Sequence, residues 1–183
     1  MSLIMEALKF ASKRHEGQFR KFGNISYMEH PKEVAFILLA IVECIDSEIL
    51  AAAVLHDVVE DTYHGNMEAG LTDVERKFGR RVKELVDELT IKEELRKKYS
   101  KKEYLVYTMN RMSNDALMIK LADRYHNVEG LLDPEVPIDF IRWYWEETIH
   151  IIDHLDREFT ATHDMLLSNI NEILELIKKE KLA

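Results

Sequence analysis

Two consecutive segments, residues 31–44, nearly all apolar after the first turn, and 47–61, apolar from Ile49 until its last six positions, limit what this chain can fold into more than any other feature. A helix that is apolar all round cannot lie on a surface, so other elements must enclose it. The chain supplies them. Leu3, Ile4, Ala7, Leu8 and Ala11 recur at helical spacing, as do Val82, Leu85, Val86 and Leu89, and again Ile138, Ile141, Trp145, Ile149 and Ile152. Six Gly and three Pro in 183 residues are few for the tight turns of a sheet protein. The expected architecture is all-α: a single-domain helical bundle over residues 1–183, with the two apolar helices as its core.

Local signals divide the chain further. Gly17 stops a first helix over residues 2–15, and Gly23-Asn24 marks a turn. Pro31 suits a first helical position, which sets His30 near an N-cap, and a central helix then runs from Ser47 to Asp61. A polar loop, Tyr63 to Gly70, leads to a capping-box spacing at Thr72 and Glu75 and a short helix ending at Phe78. Residues 92–102, rich in Lys, read as a mobile connection; Ser100 and Glu103 form a second capping box, and Asn114 caps a helix running to about Asn127. Ile138 to Ile152 line a long helix, and a last one covers about residues 162–180.

The central helix ends in a conflict. Its apolar run closes with His56, Asp57, Glu60 and Asp61 within six positions, and ionisable groups are rarely buried unless they are paired or bind a metal. At about 100° per residue the four fall at about 0°, 100°, 40° and 140°, one side of the helix. An adjacent His-Asp pair offers a nitrogen and an oxygen to a divalent cation, and two carboxylates one turn on can handle the proton of an attacking water. The alternative is a helix leaving the core through an acidic, solvated last turn. His30 and Asp123, each at or within a buried helix, add donors; two imidazoles and two carboxylates suit Mn²⁺, Fe²⁺ or Zn²⁺. Asp123 and Asn127, four apart, share a face.

The net charge of −9 argues against binding a nucleic-acid polymer or an anionic membrane, so an anionic small molecule would need a local basic patch. No apolar run approaches the roughly 20 residues that span a bilayer. A single cysteine, Cys44, excludes an internal disulfide and reads as a buried thiol, which fits a reducing cytoplasm. His15, His64 and His163 carry no pattern, and His150 with His154 reads as a solvated helix face.

The set His30, His56-Asp57 and Asp123 is similar to that of the metal-dependent phosphohydrolases of the HD superfamily. Within it, Gln18 to Lys21, His30 to Ala35, the His-Asp-x-x-Glu-Asp of His56 to Asp61, Phe78-Gly79, Leu89-Thr90 and Lys120 to Asn127 resemble, in order and spacing, the hydrolase domain of the RelA/SpoT alarmone enzymes. The resemblance covers about residues 4–130. It implies removal of the 3′-pyrophosphate from guanosine tetra- or pentaphosphate with one Mn²⁺, giving GDP or GTP. With no synthetase segment before residue 183, a small hydrolase-only member is expected. By position it implies His30, His56, Asp57 and Asp123 as metal ligands, Glu60 and Asp61 as the residues that orient and deprotonate water, and Arg20, Lys21 and Asn127 as nucleotide contacts. Three positions depart from the family pattern: the stretch from Arg20 to His30 is one residue longer, Tyr125 replaces a Leu, and Glu129-Gly130 stands where many members have Arg-Thr. Another nucleotide phosphohydrolase of the superfamily, or a non-catalytic nucleotide sensor, are the competing functions.

Overall fold

The computed structural model describes residues 2–182. Among them the secondary structure is helical, without a strand; one isolated antiparallel bridge joins Phe19 and Ser26. The chain divides into two compact units, Met1–Ile91 and Lys92–Ala183.

The first unit holds α1 (Leu3–Arg14), α2 (Glu29–Ile41), α3 (Ser47–Leu55), α4 (Val58–Thr62), α5 (Met67–Phe78) and α6 (Arg80–Leu89). Helix α3 is its centre: every residue from Ile49 to Leu55 is buried, enclosed by α1, α2 and α6. Full burial of a Leu such as Leu50 or Leu55 stabilises by about 1.5–3 kcal/mol. Asp46 starts the helix, accepting the amides of Glu48 and Ile49, and Arg81 of α6 reaches Asp46 at 2.8 Å and Glu48 at 3.0 Å.

Four expectations for the first unit are corrected. Helix α2, expected to be enclosed on every side, leaves Phe36 and Leu39 exposed, so only one face of it joins the core. The central helix is interrupted at His56 and Asp57 instead of running on to Asp61, because His56 Nδ1 engages the carbonyl of Ala53 at 2.7 Å. That carbonyl would receive the Asp57 amide in an unbroken helix. Helix α5 begins at Met67, inside the expected loop, since the Asn66 side chain accepts the amide of Ala69. Gly70 is therefore helical, and it has no room for a side chain: an added Cβ would stand 2.9 Å from Val59 Cγ1 and 3.0 Å from Tyr63 Cδ2. Cys44, expected in the core, is only half-buried, because α2 ends at Ile41. Pro31 sits inside the first turn of α2, where a missing amide costs nothing.

The second unit holds α7 (Glu93–Arg96), α8 (Lys101–Met109), α9 (Asn114–Glu129), a 3₁₀ turn (Gly130–Leu132), α10 (Ile138–Asp153) and α11 (Ala161–Ile177). Residues 92–102, expected as a bare connection, include the short α7. Helix α9 is the centre of this unit, packed on α10 and α11, and Ser113 rather than Asn114 caps it. The Ser100–Glu103 capping box forms as expected. Thr160 and His163 make another at the start of α11, with His163 Nε2 2.8 Å from the Asn114 carbonyl. Trp145 Nε1 donates to the Leu174 carbonyl at 3.0 Å, tying α10 to α11. Among the described residues no helix is long and apolar enough to cross a membrane.

Candidate metal centre

In the first unit the break between α3 and α4 does the positioning. A carbonyl oxygen only accepts, so the contact to Ala53 puts the proton of a neutral His56 on Nδ1 and the lone pair on Nε2. Nε2 lies 3.0 Å from Asp57 Oδ2. His30, in the first turn of α2, brings its Nε2 to 3.7 Å from the same oxygen, and the two imidazoles stand 5.1 Å apart at 70°. Both rings are buried, with 2% exposure each. A lone pair held against a carboxylate is unfavourable without a proton or a cation. The donors present, two imidazole nitrogens and a carboxylate oxygen, suit Mn²⁺, Fe²⁺ or Zn²⁺.

Around this set the two carboxylates of α4 differ. Burial, and next the neighbouring Asp57 charge, push the Asp61 carboxyl up, against the pull of the Tyr27 hydroxyl and of His15 and His56. Glu60 is exposed, and its Oε2 accepts the Ile91 amide at 3.3 Å. Tyr27 donates its hydroxyl to Asp57 Oδ2 at 2.6 Å. Burial and the charges of Asp57 and Asp61 hold the Tyr27 phenol far above its ordinary pKa, so the hydroxyl is a donor at any physiological pH.

Arg20 and Lys21 lie on the loop between α1 and α2. Hydrogen bonds from Arg20 N to the Ile25 carbonyl (2.8 Å) and from Tyr27 N to the Gln18 carbonyl (3.0 Å) close it, and Gly23 and Asn24 turn it at φ 79° and 48°. Lys21 Nζ is 5.4 Å from the centre of the Phe22 ring.

In the second unit Asp123 is buried on α9 and held from both sides. Lys120 Nζ is 2.8 Å from Oδ2, and Asn127 Nδ2 donates to Oδ1 at 2.6 Å. Asn127 thereby orients the Asp123 carboxylate. Next to it the buried Arg124 pairs with Glu147 at 3.3 Å. Burial works to discharge Arg124, but Tyr144, Asp123 and Glu147 outweigh it and raise its pKa.

The sequence patterns assign no site role to Tyr27, His15 or Lys120. Lys120 precedes Asp123 by three residues, a helical pairing distance that was available as a signal. Tyr27 and His15 offered none, since their meeting depends on how the loop folds back.

A profile described as an HD domain matches residues 7–140, and the chain belongs to that family. Its relatives narrow the class. The guanosine-3′,5′-bis(diphosphate) 3′-pyrophosphohydrolase MESH1 of Homo sapiens is 37% identical over 129 residues, which are 70% of this chain and 69% of that protein. The bifunctional (p)ppGpp synthase/hydrolase SpoT of Escherichia coli K12 is 38% identical over 133 residues, 70% of this chain but 18% of its own length. A solved structure described as a metazoan ortholog of SpoT that hydrolyzes ppGpp superposes over 96% of each chain, with a TM-score of 0.81 and 30% identity. The all-α HD-domain fold expected from the sequence is the fold found.

Proposed function

We propose that this protein is a metal-dependent pyrophosphohydrolase that removes the 3′-pyrophosphate of guanosine tetra- and pentaphosphate, releasing GDP or GTP and pyrophosphate. The observation that carries the reading is the convergence of His30, His56 and Asp57 in a chain whose relatives of comparable length are named for this activity. His30, His56, Asp57 and Asp123 hold one divalent cation, Mn²⁺ in the first instance with Fe²⁺ or Zn²⁺ as substitutes. Asp123 joins the set on its place in the motif. The bound cation supplies Lewis acidity, favouring deprotonation of water and offsetting charge on the pyrophosphate.

The remaining roles fall to side chains. Asp61, its carboxyl raised by burial and by Asp57, takes the proton of the water that attacks phosphorus; Glu60, one residue before it, orients that water. The bond from phosphorus to the ribose 3′-oxygen breaks, and that oxygen takes up the proton. Arg20 and Lys21 meet the nucleotide, since a guanidinium stacks on a base or forks onto a phosphate. Asn127 assists while orienting Asp123. The substrate is a small anionic nucleotide, and a single half-buried Cys44 fits work in a reducing cytoplasm. A binding-only sensor would have no use for Glu60 and Asp61. Glu129-Gly130, in place of the Arg-Thr of many relatives, favours as second reading another nucleotide phosphate as substrate.

The test is product analysis on chelator-treated protein. Guanosine tetraphosphate should give GDP and pyrophosphate in equal amounts only after Mn²⁺ is restored. Inorganic phosphate as product, or undiminished turnover without metal, overturns the reading.

A further inference from the structure

One cluster in the first unit has no part in the roles above. His15 closes α1, its amide bonded to the Ala11 carbonyl, and its ring is buried with 2% exposure. Its Nδ1 meets Gln18 Oε1 at 2.7 Å, which fixes the ring in place. Tyr27 stacks on that ring at 4.7 Å and 26°, and sets its own face edge-on to His30 at 6.1 Å. Its amide bonds the Gln18 carbonyl, and its carbonyl takes the His30 amide. Backbone and ring therefore allow the phenol one direction. Along it the hydroxyl donates to Asp57 Oδ2, the oxygen that faces both imidazoles.

We infer that Tyr27 is a positioning residue for the metal centre: braced on His15, its hydroxyl holds the Asp57 carboxylate toward His30 and His56. This rests on the metal-holding role proposed above for His30, His56 and Asp57. The physical need is specific. Asp57 stands at the junction between α3 and α4, so its carboxylate would otherwise turn among several rotamers, and a hydrogen bond to a ligating group restricts that freedom. The loop that carries Arg20 and Lys21 also ends at Tyr27, so the same phenol joins the nucleotide-facing loop to the metal ligands.

The experiment is a titration of the metal-free protein with Mn²⁺, reading free Mn²⁺ by electron paramagnetic resonance, with circular dichroism to record the fold. Tyr27→Phe keeps the ring and its stack and removes only the hydroxyl. It should raise the Mn²⁺ dissociation constant roughly 10–100-fold with an unchanged helical spectrum. Should Tyr27→Phe not fold, the brace carries the test: His15→Ala, which removes the stacked ring, should bind Mn²⁺ more weakly with an unchanged helical spectrum. Parental affinity in Tyr27→Phe, or in His15→Ala where that variant must serve, overturns the inference and leaves the metal-holding role intact. A parent protein that binds no Mn²⁺ removes that role, and the inference with it.

Discussion

Replacing Glu147 by Gln tests whether the second unit depends on a buried charge pair. Glu147 and Arg124 have side-chain exposures of 4% and 5%, and Arg124 Nη1 lies 3.3 Å from Glu147 Oε1 and 3.4 Å from Thr148 Oγ1. The guanidinium also lies 4.8 Å from the centre of the Tyr144 ring, while Lys101, more exposed, reaches Glu147 at 3.2 Å. Breaking a buried pair costs about 3–5 kcal/mol, because the remaining ion stays desolvated. Glu147→Gln keeps the volume and one acceptor oxygen, and Thr148 and Tyr144 still attend Arg124, so the lower end, about 3 kcal/mol, is expected. For a chain of this size that is a fall in Tm of roughly 6–12 °C, read by circular dichroism or calorimetry. The double variant Arg124→Met, Glu147→Leu removes both charges and should recover most of the loss. A Tm for Glu147→Gln within about 2 °C of the parent would refute the reasoning and show that Arg124 is satisfied without its carboxylate partner.

Other outcomes follow from particular contacts. Gly70→Ala forces a Cβ against Val59 and Tyr63 and should cost about 1–3 kcal/mol, whereas Gly130→Ala, with nothing within 4 Å, should leave Tm unchanged or slightly raised; equal melting of the two would contradict the packing. Arg81 and the Glu48 and Ile49 amides hold the Asp46 carboxyl below its ordinary value, so its contribution is present at neutral pH and lost as pH falls through the folded value. Asp46→Asn keeps a capping oxygen, so parent and variant should differ in Tm at pH 7 and converge in acid; a gap that widens in acid would reverse the sign. Asp61→Asn should retain Mn²⁺ binding and lose turnover of guanosine tetraphosphate, and retained turnover would remove Asp61 from proton transfer.

Much of the fold was legible because burial and periodicity coincide. An apolar run such as Ile49 to Leu55 has no placement except inside, and amphipathic segments such as Val82 to Leu89 have one face to give it. What was not legible depends on side-chain geometry across or against the backbone. The interruption at His56 follows from one imidazole reaching the Ala53 carbonyl, and a helical wheel carries no information about that. Gly70 looked like a loop residue because the reason a glycine stands in this helix, the closeness of Val59 and Tyr63, lies outside α5. The His-Asp pair announced donors, and the structure brings His30, from a different helix, to within 3.7 Å of the Asp57 carboxylate. Tyr27, separated from Asp57 by thirty positions, left no trace in local sequence.

The central claim, hydrolysis of a guanosine 3′-pyrophosphate, is tested most directly by the initial rate of pyrophosphate release with Mn²⁺ from guanosine tetraphosphate beside its adenosine analogue and a nucleoside monophosphate. The account predicts rapid release from the guanosine compound and little from the others, with Glu129-Gly130 compatible with guanine. Equal or faster release of phosphate from the other substrates would contradict it and assign the same metal centre to a different nucleotide.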